Sequence, residues 1–303
     1  MQDKTFLNSN IIIFNRKTKK LEKEKIYGKK VLLFLYKKNI FSKFFLYLIS
    51  NFTLFSKIFA LFKKKKFSKK KIYSFIKTFE IDKEEFTKKI EDFSSFRDFF
   101  IREIKKRKIS NNPKEVIIPA DGRYLVFPNI NEADGFYVKG EKFNLYSFLK
   151  DKKLSEKYTN GAMAIGRLAP SDYHRFHFPV DCFATKEKII NGYLYSVNPI
   201  AIKKNIKIFE ENKRILTILK SDIFKEILFI EIGATNVGSI IETFKGENFY
   251  KKGDEKGYFD LGGSSIVIIF EENIIKFEKD LIENSKNKIE TKTLMGEILG
   301  KSI

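Results

Sequence analysis

The chain has 303 residues with 59 Lys+Arg and 38 Asp+Glu, a net charge of +21. A hydrophobic content of 43% excludes a disordered chain, and a single Cys excludes a disulfide scaffold or a multi-Cys zinc site. Residues 1–110 hold 30 basic and 11 acidic side chains (+19), and residues 111–303 hold 29 and 27 (+2), so almost all the charge lies in the first third.

Residues 1–30 are polar and basic, and lack the apolar stretch and small-residue cleavage site of a secretory signal. From Val31 to Phe79, short apolar blocks broken by lysines, with no Gly or Pro, predict helices. The longest uncharged run there, Phe44 to Ser56, is shorter than the ~18–20 residues of a spanning helix. Apolar stripes ending in Lys63–Lys66 and Lys69–Lys71 suit a helix lying in an anionic lipid interface. A core-facing helix with solvated lysines fits the same text. Nucleic acid fits less well, because no nucleic-acid module is present and long aliphatic runs add nothing to a phosphate contact.

Residues 82–108 read as a further helical stretch, and Pro113 marks a boundary. Beyond it come short β-rich runs between Gly and Asp turns, with helical excursions near 143–158 and 277–299. GYFDL and SIVIIF read as two strands across a tight turn. The expected class is therefore α+β: a basic, helical N-terminal region over 1–110, then an antiparallel β-rich domain over 111–303.

Both histidines fall in one heptapeptide, YHRFHFP (Tyr173–Pro179). Their spacing of three, with no other His in the chain, points to a proton-handling site. As zinc ligands they would need carboxylate partners, and no metal site is expected. Asp121 in PADGR and Ser264 in Gly262-Gly263-Ser264-Ser265 each read, alone, as turn residues. Together, Ser, His and Asp are the parts of a nucleophile triad, but the chain has no GxSxG elbow, which disfavours an α/β-hydrolase. A serine after two glycines has another option. Its hydroxyl can attack the preceding carbonyl of its own chain, since Gly leaves the approach open and tolerates strained dihedrals.

Eight segments, in order and spacing, resemble the pyruvoyl-dependent phosphatidylserine decarboxylases. They are SFRDFFIRE (95–103), PADGR (119–123), FYVKGEKFNL (136–145), RLAPSDYHRFHFP (167–179), YSVNP (195–199), ENKR (211–214), IGATNVGSI (232–240) and KGDEKGYFDLGGSS (252–265). The last is similar to the GGSS/GGST subgroup. The resemblance implies a catalytic domain over 111–303 that cleaves itself at Gly263–Ser264 into a β chain, 1–263, and an α chain, 264–303. It implies that His177 is the base, Asp121 orients it, and Ser264 becomes the covalent pyruvoyl cofactor. His174 would then assist decarboxylation or reprotonation, with Tyr173 and Arg175 positioning the substrate. The implied reaction converts phosphatidylserine to phosphatidylethanolamine and CO2 through a Schiff base. The implied assembly is an α/β heterodimer, itself paired as a homodimer, with no nucleic acid. A substrate with two acyl chains also implies a peripheral place on the anionic cytoplasmic face of the cell membrane, and gives the basic first third a lipid partner.

Overall fold

The central strands read as unbroken apolar runs because the sheet they form is covered on both faces. The computed structural model describes residues 11–27, 66–133, 143–195, 207–233, 240–261 and 264–303. In chain order the first strands are β1 (Ile12–Asn15), β2 (Lys20–Lys23), β3 (Glu115–Ile117), β4 (Gly122–Phe127), β5 (Ala162–Leu168) and β6 (Arg175–His177). Next come β7 (Cys182–Ala184), β8 (Lys188–Ile190), β9 (Arg214–Ser221), β10 (Lys225–Ile232), β11 (Ile240–Glu242) and β12 (Asn248–Tyr250). The last are β13 (Glu255–Phe259), β14 (Ser264–Phe270), β15 (Ile275–Phe277), β16 (Glu290–Thr293) and β17 (Ile298–Ser302). The described helices are short: α1 (Lys70–Phe79), α2 (Phe96–Phe100), α3 (Leu145–Leu149), α4 (Lys152–Lys157), α5 (Ile208–Glu211) and α6 (Lys279–Lys286).

The main sheet runs in the order β12-β7-β9-β10-β14-β5-β4-β16-β1-β2, with β8 also paired to β9. Its pairings are antiparallel except β1 with β16. Two smaller sheets, β11-β13-β6 and β15-β17-β3, complete the β structure of the described residues. Strand alternation sends Ile266, Ile268 and Phe270 of β14 into one core with Leu168, Phe176 and Phe259. The intervening Val267 and Ile269 enter a second core with Ile165, Ile230 and Phe148. A third cluster, Phe-rich, joins α1 and α2 to Leu261.

The α+β class expected from the sequence is what the structure has, and α3 and α4 fill the helical excursion near 143–158. Four local expectations change. First, residues 12–15 and 20–23 form a hairpin whose β1 adds to the main sheet, inside the region read as helical. Second, the stretch 82–108 holds only α2 and two single turns. Ser95 interrupts it as an N-cap, its hydroxyl accepting from the Asp98 N–H, and the phenylalanines pack as a cluster instead of a stripe. Third, the helix near 277–299 stops at Lys286, and the chain returns as β16 and β17. Fourth, GYFDL and SIVIIF do not form a hairpin: β13 pairs with β11 and β6, while β14 pairs with β10 and β5. The chain therefore changes sheets between Phe259 and Ser264. Of the lysine-flanked apolar region 31–79, α1 and the turn before it are described; residues 28–65 lie outside the described residues.

Candidate active site

Ser264 opens β14 opposite Leu168 on β5, fully buried, and its Oγ has no hydrogen-bond partner among the described residues. The same holds for Ser265 Oγ, on the opposite face. Gly262 and Gly263 lie outside the described residues, so the arrangement is built from their two flanks. On the upstream side, the Phe259 N–H donates to the His174 carbonyl at 2.9 Å. The Nε–H of Arg97 in α2 is shared between both oxygens of Asp260 at 2.9 Å, and Leu261 is buried in the Phe-rich cluster. The SFRDFF segment thus tethers the stretch that leads into Ser264.

His174 is fully buried, its ring 3.8 Å from that of Phe100, and its Nδ1 lies 2.9 Å from the Asp172 carbonyl, which makes Nδ1 the donor. It stands just before β6, against Phe100 of the Phe-rich cluster. His177 closes β6. Its Nδ1 donates to the Gly253 carbonyl at 2.9 Å, leaving Nε2 to accept from the Tyr173 hydroxyl at 3.0 Å. Burial pushes this imidazole below its ordinary pKa, so it is the neutral, basic form near pH 7. Gly253 has φ +88°, in the left-handed region, and a glycine there lets the turn aim its carbonyl at the ring.

Asp121 is not the group that holds His177. Arg107 forks onto both its oxygens, and the Met295 N–H donates to Oδ1 at 2.8 Å. Arg107 also reaches Glu85 at 2.8 Å. Asp121 still acts on His177 through its charge, which favours the imidazolium. Arg175 grips Glu255 at 2.8 Å and the Ile101 carbonyl at 3.1 Å, tying β6 to the segment after α2. The structure thus brings His174 beside the strand that leads to Ser264, and leaves Asp121 and His177 without the direct bond that a triad reading expects.

Two buried ionic clusters flank these residues, and neither was legible in the sequence. In the first, a bulge in β13 between Glu255 and Gly257 turns Lys256 into the core. Its ammonium meets Glu231 at 2.6 Å and Glu242 at 3.0 Å, among the rings of Phe176, Phe229 and Phe244. Burial, then the neighbouring carboxylate of Glu242, raises Glu231 well above the usual carboxylate range, and burial raises Glu242 as well. Glu231 is the register partner of Ile266, on the Ser264 face. The second cluster joins Arg123 of PADGR and Arg167 of β5 to Glu24, Asp172 and Glu290.

The family model for phosphatidylserine decarboxylase matches residues 96–301. The chain belongs to this family. It is 50% identical over 211 residues to the phosphatidylserine decarboxylase proenzyme of Chlamydia caviae, covering 69% of this chain and 71% of that one. It is 52% identical over 208 residues to the proenzyme of Fusobacterium nucleatum, covering 68% and 69%. The match to the family model takes in Asp121, both histidines and Ser264, and ends two residues short of the C-terminus. It begins after the β1–β2 hairpin and α1.

Proposed function

We propose that this chain is a phosphatidylserine decarboxylase, made as a proenzyme that cuts itself before Ser264 and turns that serine into its pyruvoyl group. The observation that carries the reading is the state of Ser264, buried at the head of a strand with its hydroxyl unengaged by any described group. A buried hydroxyl without a partner costs stability, and is retained where it has chemistry to do. These residues fit the group, because it would form from Ser264 in place.

In the self-cleavage, Ser264 Oγ bonds to the carbonyl carbon of Gly263 as its proton passes to a base. The amide nitrogen then leaves with a proton, so an ester replaces the peptide bond. Loss of the Cα proton of residue 264 expels the Gly263 carboxylate and leaves a dehydroalanine, which water converts to the pyruvoyl group with release of ammonia. His177 is the base, available because burial keeps it neutral. Asp121 stabilises the protonated ring through its charge, while Gly253 sets its orientation. The pyruvoyl group supplies the electron sink for loss of CO2 from the serine headgroup. His174, whose carbonyl holds Phe259 on the stretch leading to Ser264, handles the proton that replaces CO2.

The α chain would remain in place after cleavage. β14 is paired on both sides by β10 and β5, β16 lies between β4 and β1, and β17 pairs with β3. The +19 of residues 1–110 supports peripheral binding to the anionic cytoplasmic face, since each Lys or Arg near such a surface contributes about 1 kcal/mol. Among the described residues no helix is long and apolar enough to cross a membrane.

The test is a denaturing gel with mass spectrometry of the purified chain. The expected products are 1–263 and the 40 residues of 264–303 (303 − 263), the latter carrying pyruvoyl at its N-terminus. Hydroxylamine should abolish release of CO2 from phosphatidylserine vesicles, and Ser264→Ala should abolish cleavage and activity together. A wild-type chain that stays whole refutes the reading, and a block by Ser265→Ala alone moves the cleavage by one residue.

A further inference from the structure

The β1–β2 hairpin lies outside the family match, yet the residue that follows it reaches the site. Glu24 enters the protein with a side chain only 3% exposed. It lies 2.7 Å from Arg123 and 2.8 Å from Arg167, and among the described residues it is the one carboxylate paired with both. Arg123 and Arg167 are register partners on β4 and β5, and Arg167 is also the partner of Ser265 on β14. Two guanidiniums side by side on one buried face repel each other, and Glu24 bridges them. Burial opposes the ionisation of Glu24, but Arg167 and Arg123 outweigh it.

From this bridge the contacts run to the reacting residues in two steps. Arg123 pairs with Asp172. Asp172 Oδ2 accepts the Ala169 N–H at 2.7 Å, which closes the 169–172 turn, and its carbonyl accepts His174 Nδ1 at 2.9 Å. Arg167 is anchored on its far side by Glu290 of the α segment, at 2.6 Å. The hairpin that delivers Glu24 is itself locked down. β1 pairs with β16, and Arg16 forks onto Asp280 at 2.7 Å and donates to the Ile298 carbonyl at 2.9 Å.

We propose that Glu24 is a positioning residue of the active site. By bridging Arg123 and Arg167 it sets the Asp172 turn that holds His174 and the strand that faces Ser264 and Ser265. The hairpin is on this view part of the catalytic body and not of a lipid-seeking region. The proposal rests on the decarboxylase reading above.

Glu24→Gln in the full chain tests it, because Asp172 and Glu290 still leave two carboxylates for two guanidiniums and the fold should survive. Turnover of phosphatidylserine in detergent-dispersed vesicles is measured per cleaved chain, with the melting temperature alongside. The expected result is a fall in kcat of about tenfold or more, KM within about twofold of wild type, and partial recovery in Glu24→Asp. Glu22→Gln, on the same hairpin, should match wild type. A wild-type kcat in E24Q overturns the proposal, as does an equal loss in E22Q, which would show a general effect of hairpin stability. If E24Q does not fold, E24D carries the test: it keeps the charge but is one methylene shorter, and an unchanged kcat in it overturns the proposal. A wild-type chain without decarboxylase activity sinks the functional reading and this proposal together, whereas an active wild type with indifferent Glu24 variants sinks this proposal alone.

Discussion

Lys256→Met removes the only cation bonded to Glu231 and Glu242 among the described residues, while keeping an unbranched apolar side chain against Phe176, Phe229 and Phe244. In the wild type the ammonium balances one carboxylate, and burial favours the neutral form of the other. Without Lys256 both carboxyls must be neutral. Holding a second carboxyl protonated at pH 7, against an unfolded value near 4.3, costs 1.36 kcal/mol per unit, or about 3.7 kcal/mol. At pH 5 the same arithmetic leaves about 1 kcal/mol. The sign follows from linkage: a carboxyl whose folded pKa is raised is fully stabilising only below its unfolded pKa, and that stability is lost as pH rises through the folded value. The deficit of the variant should therefore grow from pH 5 to pH 7. Urea unfolding at the two pH values, read from the midpoint with the slope held in common, measures it. A deficit below about 1 kcal/mol at pH 7, or one equal at both pH values, would refute the reasoning by showing that the carboxylates find another partner or water.

Three further outcomes follow from the same geometry. With only two histidines in the chain, NMR titration should find His177 below about 6.5. Tyr173→Phe should raise it, because the lost hydroxyl bonds only the neutral ring; a lower value in the variant refutes the tautomer drawn from Gly253. Gly253→Ala forces a side chain into the left-handed region, for about 1–2 kcal/mol, and should slow self-cleavage as the carbonyl turns from His177; cleavage at the wild-type rate counts against that carbonyl's role. Arg16→Ala should release the α chain from cleaved protein at lower urea, with a loss of about 1–2 kcal/mol, and an unchanged release midpoint would show that the fork onto Asp280 holds nothing.

The candidate site residues carried by short, unusual peptides were legible. Asp121, His174, His177 and Ser264 stand out because rare residue types cluster in PADGR, YHRFHFP and GGSS, and the family match spans all of them. The strands of the main sheet were legible too, since burial on both faces leaves continuous apolar runs such as SIVIIF. The hairpin was harder to read. IIIF is a short apolar run before a polar turn, but its strand is only four residues long and pairs with β16, some 275 residues on. The ionic clusters left no local trace, because a buried Lys or Glu looks in sequence like a solvated one. Lys256 sits between Glu255 and Gly257 with no sign that a bulge turns it inward.

The sequence by itself determined the class of the fold, the candidate site residues and the asymmetry of charge, because each depends on composition or on residues close together in the chain. Tertiary structure decided the partners: that Gly253 and Tyr173 hold His177 while Arg107 takes Asp121, that β13 and β14 lie in different sheets, and that Glu24 reaches Arg123 and Arg167. These are contacts between residues tens to hundreds of positions apart, and their geometry is set by strand register and burial, which no short stretch of sequence encodes.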